Sequence, residues 1–360
     1  MSEDGGREES LYSIFNGKGV SPILVSIFVI KWLVGMVGEV ANANLVYVTL
    51  RHKSLHSPCH YLLAINSFLY FVHQTYHFIP LVLSLTGINF IKLPLCFYME
   101  PHAVFSLQAN WGISLFIGID RLLSVTMWTW QKHLNVKMYL SAIVSICSIY
   151  GFYIVYLSAQ VVNELPDMMI LCQHNDIYQK EVGTIVTRNA LIIIALNILC
   201  YVIVWICLIR SAVKRNALRE SFSQASARIY KSLTVIMVVE VFGYLSNTLF
   251  RLTIIPKLRL SAINTLYVNT ASSLLTNVAM ASNAFILYAF SREYHRVFQM
   301  QIFHFTSRFC KKTTTVASSL QRSTNQLRGS TILANTVIPT RKVSRHSARD
   351  IPMQQLHVNE

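Results

Sequence analysis

Seven stretches of this chain are each long and apolar enough to cross a lipid bilayer as a helix, which needs about 20 apolar residues. Hydrophobic residues make up 53% of the 360-residue chain and charged residues only 13%, a balance that is atypical of soluble domains. The stretches are residues 23–50, 58–84, 95–127, 136–162, 185–210, 229–253 and 262–289. We therefore predict an all-α membrane protein whose single membrane domain, residues 23–289, is a bundle of seven transmembrane helices.

The two ends of the chain differ from this domain in composition. Residues 1–22 begin with an acidic, polar run and predict a short N-terminal segment. Residues 290–304 alternate basic and aromatic side chains at helical spacing, which predicts an amphipathic helix on the membrane surface. Residues 305–360 are rich in Ser, Thr, Arg and Lys, which is typical of a disordered tail. In this tail Cys310 is a candidate palmitoylation site, and phosphorylated Ser or Thr would recruit arrestin-like partners.

The distribution of Lys and Arg predicts the orientation of the bundle. With the N-terminus outside, 22 of the 31 Lys and Arg residues fall on the cytoplasmic side together with the C-terminus. Arg251, Lys257 and Arg259 are the exception, since they crowd the third outer loop. The net charge of +15 is then mostly cytoplasmic, where it suits anionic lipid headgroups rather than nucleic acid.

Two of the seven cysteines fall on the outer side of the predicted topology. They are Cys96, at the start of the third span, and Cys172, in the loop before the fifth. Oxidising conditions outside the cell favour a disulfide between them, which would attach that loop to the third helix. Two unpaired thiols are the alternative.

Charged side chains also occur within or beside the spans. Asp120 and Arg121 are adjacent in GIDRLLSV, at the predicted cytoplasmic end of the third span. They either form an interfacial pair that marks the helix end or face the interior of the bundle. Glu240 lies inside the sixth span, four residues before Tyr244, and we expect its carboxyl group to face the bundle as a candidate for ligand contact or switching.

Several motifs and their spacing resemble the rhodopsin-like (class A) G-protein-coupled receptors. Cys96 precedes Asp120 by 24 residues, the separation at which that family carries a Cys and an Asp-Arg-Tyr motif on its third helix. The run NANLVYVTLRHKSLHSPCHYLLAINSF places Asn42 at the asparagine position of the first helix. The run SNAFILYAFSREYHRVF is similar to the family's Asn-Pro-x-x-Tyr motif, with Asn283 as its asparagine.

One subgroup is most similar, the nematode serpentine chemoreceptors of the Srsx type. The similarity lies in VFGY at 241–244 and in the residue pattern of SREYHRVF, and it extends over roughly residues 23–300. It implies a chemosensory receptor of the plasma membrane, without enzymatic activity or cofactor, that binds an extracellular ligand and activates a heterotrimeric G protein.

The resemblance also implies roles for individual residues. Asp120 would hold Arg121 in the resting state, and agonist binding would release Arg121 to meet the G protein. Asn283 and Tyr288 would belong to the same switch. The positions implied for the structural core are Asn42, Gly243 and Tyr244.

The chain departs from the family pattern at several of these positions. Leu122 replaces the tyrosine of the Asp-Arg-Tyr motif, and Ala284 replaces the proline after Asn283. Tyr70 stands where many relatives have an aspartate that binds sodium, so a sodium site is not expected. The fourth to sixth spans contain no proline, so a kink in the sixth helix would have to arise at Gly243 or be absent.

The sequence constrains the identity of the ligand less than any other feature. Ala103 stands where amine receptors of the family carry an aspartate, so an amine bound in that way is not expected. An odorant-like small molecule and a peptide both remain compatible. The candidate pocket residues are Ala103, Val104, Leu107, Gln108 and Glu240.

Two other classes of protein remain as alternatives. The pairs His56–His60 and His73–His77 have the spacing of metal ligands on one helical face, as in a metal-dependent membrane enzyme. The two pairs lie near opposite ends of the second span, which argues against a shared metal. A transporter is the second alternative, although the seven spans show no internal repeat.

Overall fold

A computed structural model describes residues 10–127, 134–215, 222–250, 254–258 and 260–301. The predicted disordered tail at 305–360, with Cys310, lies outside these residues, so both remain predictions.

Helices occupy the described residues of all seven predicted spans. α2 forms the first span, α3 and α4 the second, α5 and α6 the third, and α7, α8, α9 and α11 the remaining four. A final helix, α12, covers residues 292–301. The bounds are α1 (Leu11–Phe15), α2 (Pro22–Arg51), α3 (Pro58–Gln74), α4 (Phe78–Thr86), α5 (Leu93–Met99), α6 (Pro101–Thr126), α7 (Val136–Glu164), α8 (Lys180–Arg215), α9 (Phe222–Leu249), α10 (Ile255–Leu258) and α11 (Ala262–Phe290).

Four of the described helices are long and apolar enough to cross a membrane by length and composition alone. They are α2, α7, residues Lys180–Cys207 of α8, and α11. The second and third spans are divided into shorter helices, and the apolar part of the sixth is shorter, Thr234–Leu249. In these three spans, polar side chains face the interior of the bundle.

The second and third spans are interrupted rather than continuous. A 3₁₀ turn, Thr75–His77, separates α3 from α4. Between α5 and α6 the helix breaks at Glu100, where φ is −116° and ψ is 17°. Pro101 follows directly, and a proline ring disfavours helical backbone in the residue before it. The sequence-based expectation of one uninterrupted third helix from residue 95 is therefore wrong at this point.

At one end of the bundle, a disulfide and a two-stranded sheet fix the loop between α7 and α8. Strand β1 (Ile91–Lys92) pairs antiparallel with strand β2 (Met169–Ile170), with Ile91 opposite Ile170. Cys96 of α5 is bonded to Cys172, 76 residues later, which confirms the predicted bridge. We call this end the disulfide end.

Small residues allow the helices of the bundle to approach each other closely. A Cβ atom added to Gly243 of α9 would lie 2.9 Å from Ala279 Cβ of α11. The Thr276 hydroxyl of α11 also donates to the Gly243 carbonyl at 3.1 Å. α9 is continuous through Gly243, so this glycine serves close packing and does not break the helix.

At the opposite end, α12 packs against α2 and α3. Tyr294 is fully buried, and its hydroxyl lies 3.1 Å from Thr49 Oγ1. The Glu293 carboxylate lies 3.2 Å from Nε2 of His60, whose Nδ1 contacts the Ser57 hydroxyl at 2.7 Å. If Ser57 donates to Nδ1, the proton on Nε2 is available to Glu293, so both ring nitrogens are engaged. These contacts anchor the chain directly after the last span.

The disulfide predicts a specific mutational pattern. Cys96→Ser and Cys172→Ser should each lower surface expression by the same amount, and the double variant should be no worse, because either change removes the same loop constraint, typically worth about 2–5 kcal/mol. Surface labelling of the tagged protein in cells measures this. Cys207→Ser, which changes a free cysteine, is the matched control. Clearly additive losses would argue against the bridge.

The anchor of α12 should weaken in acid. The hydrogen bond from His60 holds the pKa of Glu293 below its ordinary value. Its contribution is therefore complete above the ordinary pKa and is lost as the pH falls through the lowered one. Hydrogen exchange of residues 292–301, corrected for intrinsic rates, should show protection decreasing in that acidic range. Glu293→Gln should remove most of this pH dependence, and a variant with unchanged pH dependence would contradict the assignment.

Candidate functional site

A buried carboxyl group lies at the centre of the bundle. Glu240 of α9 is only 5% exposed, and three side chains from three other helices donate hydrogen bonds to it. The Tyr70 hydroxyl and the Asn283 amide each lie 3.1 Å from Oε1, and the Ser114 hydroxyl lies 3.3 Å from Oε2. We call these four residues the carboxyl hub. It joins α3, α6, α9 and α11 at one point.

A second set of amide contacts surrounds the hub. Asn283 Nδ2 also donates to Asn66 Oδ1 of α3 at 3.2 Å. Asn42 Nδ2 of α2 donates to the Met280 carbonyl of α11 at 3.2 Å. A carboxylate within a span costs about 2.5–3.5 kcal/mol on insertion scales, and hydrogen bonds to a charged group return about 1.5–3 kcal/mol each. Three donors to the carboxyl oxygens therefore reduce the cost of placing Glu240 there.

The hub explains an apparent gap in the sequence. The resemblance implied an aspartate position that Tyr70 fills in this chain, and the structure places a carboxyl group from α9 in contact with the Tyr70 hydroxyl. From the sequence, Glu240 and Asn283 were predicted to belong to separate sites, and Asn66 and Ser114 were not predicted as site residues. The signal available was that Asn66 and Tyr70 lie four residues apart and so share one face of α3.

Glu240 borders a small cavity with an empty volume of about 350 Å³. Its lining also includes Trp111 of α6 and Tyr244 of α9, whose rings meet edge to face with centroids 5.8 Å apart. Glu240 and Tyr244 are one helical turn apart on α9. The ring pair therefore lies directly next to the hub.

A large cavity lies on the other side of the same ring pair, toward the disulfide end. Its empty volume is about 840 Å³, including the open mouth. Trp111 and Tyr244 line it as well, so the ring pair separates the two cavities. Of the candidate pocket residues, Leu107 lines the large cavity and Glu240 lines the small one.

The other candidate pocket residues lie close by but have structural contacts instead. The Ala103 carbonyl contacts His73 Nδ1 at 3.1 Å. Val104 is fully buried in the apolar cluster around the disulfide. Gln108 Nε2 donates to the Tyr178 hydroxyl at 3.0 Å, so Gln108 positions a wall residue of the large cavity.

Aromatic rings form one wall of the large cavity. The His174 ring lies 4.7 Å from the ring of His73, 5.3 Å from that of Tyr76 and 5.1 Å from that of Tyr178, centroid to centroid. We call these four residues the ring wall. Sequence reasoning missed its members as pocket residues because two of them belong to the loop after Cys172, whose position no periodic pattern reveals.

The loop that carries half of the ring wall is held at several points besides the disulfide. Lys31 Nζ of α2 donates to Gln173 Oε1 at 2.6 Å. The Asp176 carboxylate accepts from the Gln173 backbone N–H at 3.0 Å, as part of a capping box. The Tyr178 hydroxyl contacts His174 Nε2 at 2.9 Å. The mouth of the large cavity therefore has one fixed side.

The Asp120–Arg121 pair lies at the opposite end of α6. Asp120 Oδ2 accepts from Arg121 Nε at 3.2 Å and from Nη2, and Oδ1 accepts from the Tyr139 hydroxyl of α7 at 3.4 Å. The side chains are 3% and 16% exposed, so both groups lie inside the end of the bundle.

Tyr288, a predicted switch residue, lies away from the hub. It is 37% exposed, and its ring stacks on His295 with centroids 4.6 Å apart. The tyrosine that is buried in this region is Tyr294, which contacts α2.

The histidine pairs do not converge on one point, since His60 contacts Glu293 and Ser57 while His73 belongs to the ring wall. Within the described ranges, one cluster of ligand-type atoms comprises Cys96, Glu100 and Cys172. Its two sulfur atoms form the disulfide, so they are not available as thiolate ligands.

A comparison with models of protein families identifies the family of this chain. No curated protein matches the chain. The family model described as serpentine type 7TM GPCR chemoreceptor Srsx matches residues 33–302, which is well over half of the chain and includes the carboxyl hub, the ring wall and the Asp120–Arg121 pair. The protein is therefore a seven-transmembrane membrane protein that belongs to the Srsx family of serpentine G-protein-coupled chemoreceptors.

Proposed function

We propose that this protein is a chemosensory receptor of the plasma membrane that binds an extracellular ligand in the large cavity and activates a heterotrimeric G protein. The observation that carries the proposal is the shared ring pair, since Trp111 and Tyr244 line both the large cavity and the small cavity beside Glu240. A ligand that reaches this pair touches the residues next to the hub.

The proposed orientation places the disulfide end outside. Oxidising conditions allow the bond between Cys96 and Cys172 to persist there, and 22 of the 31 Lys and Arg residues then lie on the cytoplasmic side. The large cavity opens toward the outside in this orientation. The basic C-terminal tail is the proposed contact for anionic lipids and arrestin-like partners.

Transmission begins at Tyr244. Because Glu240 lies one turn away on the same helix, displacement of the Tyr244 ring by a ligand shifts the Glu240 carboxyl group relative to its donors on α3, α6 and α11. Moving a population from mostly closed to mostly open takes about 5.5 kcal/mol of differential affinity. Breaking two or three buried hydrogen bonds at about 1–3 kcal/mol each is a change of that size.

The cytoplasmic end completes the proposed mechanism. Asp120 holds Arg121 against its own helix in the closed state. When α9 moves away from the bundle axis, the end of α6 becomes accessible, and the guanidinium group exchanges Asp120 for backbone carbonyl groups of an inserted partner helix. The receptor thus acts by binding and rearrangement and requires no chemical step.

Replacing the arginine should separate signalling from folding. Arg121→Ala should abolish G-protein activation while surface expression remains intact, because the group that meets the partner is lost. Arg121→Lys should restore little, since an ammonium group lacks the planar fork of donors. A reporter in cells co-expressing promiscuous G proteins measures this. Lys53→Ala, at an exposed cation near the same end, is the control. Retained coupling in Arg121→Ala would refute the role.

Disrupting the carboxyl hub should favour the open state. Glu240→Leu should raise ligand-independent signalling, because α9 loses the donors on the other three helices. Tyr70→Phe, which removes one donor worth about 1–3 kcal/mol, should act in the same direction but more weakly. Basal reporter activity, normalised to surface expression, measures both. Phe242→Leu, on the exposed face of α9, should leave basal activity unchanged. Lower basal activity in both hub variants would contradict the proposal.

A further inference from the structure

The lining of the large cavity consists of neutral polar, aromatic and aliphatic residues together with two histidines, His73 and His174. Within the described part of the chain, no Asp, Glu, Lys or Arg side chain lines it. Its polar atoms belong to imidazole, phenol, amide and hydroxyl groups, and the remaining surface is aliphatic or aromatic. Such a lining can satisfy hydrogen bonds, but its described residues include no permanently charged group that would neutralise an ion.

Of the charged groups close to the cavity, Glu100 does not line it, and two others are already engaged. The Glu240 carboxyl group borders the small cavity and accepts from the three donors of the hub. The Lys31 ammonium group donates to Gln173 behind the loop. Among the described residues that line the cavity, a charged ligand would therefore find no Asp, Glu, Lys or Arg as counter-ion, and an unpaired buried charge is strongly unfavourable.

The walls of the cavity favour a flat ring. The ring wall presents the rings of His73, Tyr76, His174 and Tyr178, with centroid separations from His174 of 4.7, 5.3 and 5.1 Å. Aromatic pairs prefer edge-to-face or offset contacts at such distances. A ring inserted between the ring wall and the Trp111–Tyr244 pair would find aromatic faces and edges on two sides.

One amide group in the lining, on Asn277, has a donor that is not engaged in a hydrogen bond of standard geometry. Asn277 of α11 is only 3% exposed, and its amide group interacts with the Tyr76 side chain, but its Nδ2 makes no hydrogen bond of standard geometry within the described residues. Buried polar groups in folded proteins are almost always hydrogen-bonded. An acceptor atom on a bound molecule would satisfy this donor.

We propose that the large cavity binds an uncharged, ring-bearing small molecule that accepts a hydrogen bond from the Asn277 side chain. This inference rests on the proposed function, because that function makes the cavity a ligand site. The volume of about 840 Å³, including the mouth, suits a small organic molecule. A peptide with charged termini is the disfavoured alternative.

The test uses three molecules that share one ring and a two-carbon side chain and differ in charge. Indole-3-ethanol is neutral, tryptamine is a cation and indole-3-acetate is an anion at neutral pH. Binding to the purified full-length receptor in detergent is measured by saturation-transfer NMR and by the shift in melting temperature. We expect the alcohol to bind at least about tenfold more tightly than either ion.

A charge introduced at Asn277 should reverse this preference. In Asn277→Asp, tryptamine should bind more tightly than indole-3-ethanol, because the new carboxylate supplies the missing counter-ion. The matched control is Asn264→Asp, the same chemical change on an exposed first-turn residue of the same helix, and it should keep the order of the unmodified receptor. The order in the unmodified receptor is decisive even if Asn277→Asp fails to fold.

Two outcomes would overturn the inference. One is tighter binding of tryptamine or indole-3-acetate than of the alcohol by the unmodified receptor, and the other is no detectable binding of the alcohol at millimolar concentration. Binding of peptides from a synthetic library, with no detectable binding of the alcohol, would also overturn the inference. Because these measurements need no G protein, their failure is distinguishable from a failure of coupling, which the Arg121 variants report.

Discussion

The carboxyl group of Glu240 is the point on which the arrangement of this bundle depends. An apolar helix bundle in lipid gains little from burying apolar surface, so directional polar contacts and close packing fix how its helices meet. Here one acid engages Tyr70, Ser114 and Asn283 on three neighbouring helices. Gly243, one turn away, brings α9 against Ala279 of α11. The polar contact and the close approach reinforce each other at the same depth.

The location of this acid on α9 matters for how a receptor of this family could work. A carboxyl group on α3 would connect the hub to a helix that is packed on both sides, whereas Glu240 connects it to the helix whose departure is proposed to open the cytoplasmic end. The same helix carries Tyr244, which borders both cavities. We thus propose that α9 contacts the ligand, is restrained by the hub and moves on activation. No long series of residues is needed to connect the ligand to the moving helix.

The sequence predicted the parts of this structure that depend on local pattern. Apolar length located the seven spans, and the topology left Cys96 and Cys172 as the pair to be bonded. The break at Glu100 was missed because the third span was predicted from its apolar length, and Pro101 lies within that span. The hub was missed because Glu240 is separated from its three donors by 43 to 170 residues and only tertiary packing brings them together. The ring wall was missed because the loop after Cys172 has no periodicity to read.

The ring pair of Trp111 and Tyr244 divides the interior at one level, so the length of a bound molecule matters apart from its chemistry. A short compound could fill the space above the partition and leave α9 in place. A longer compound with the same functional groups would push against the partition. Under the proposed mechanism the short compound is a blocker and the long compound an activator. The efficacy of a compound would therefore depend on its length, whereas its affinity would depend on its functional groups.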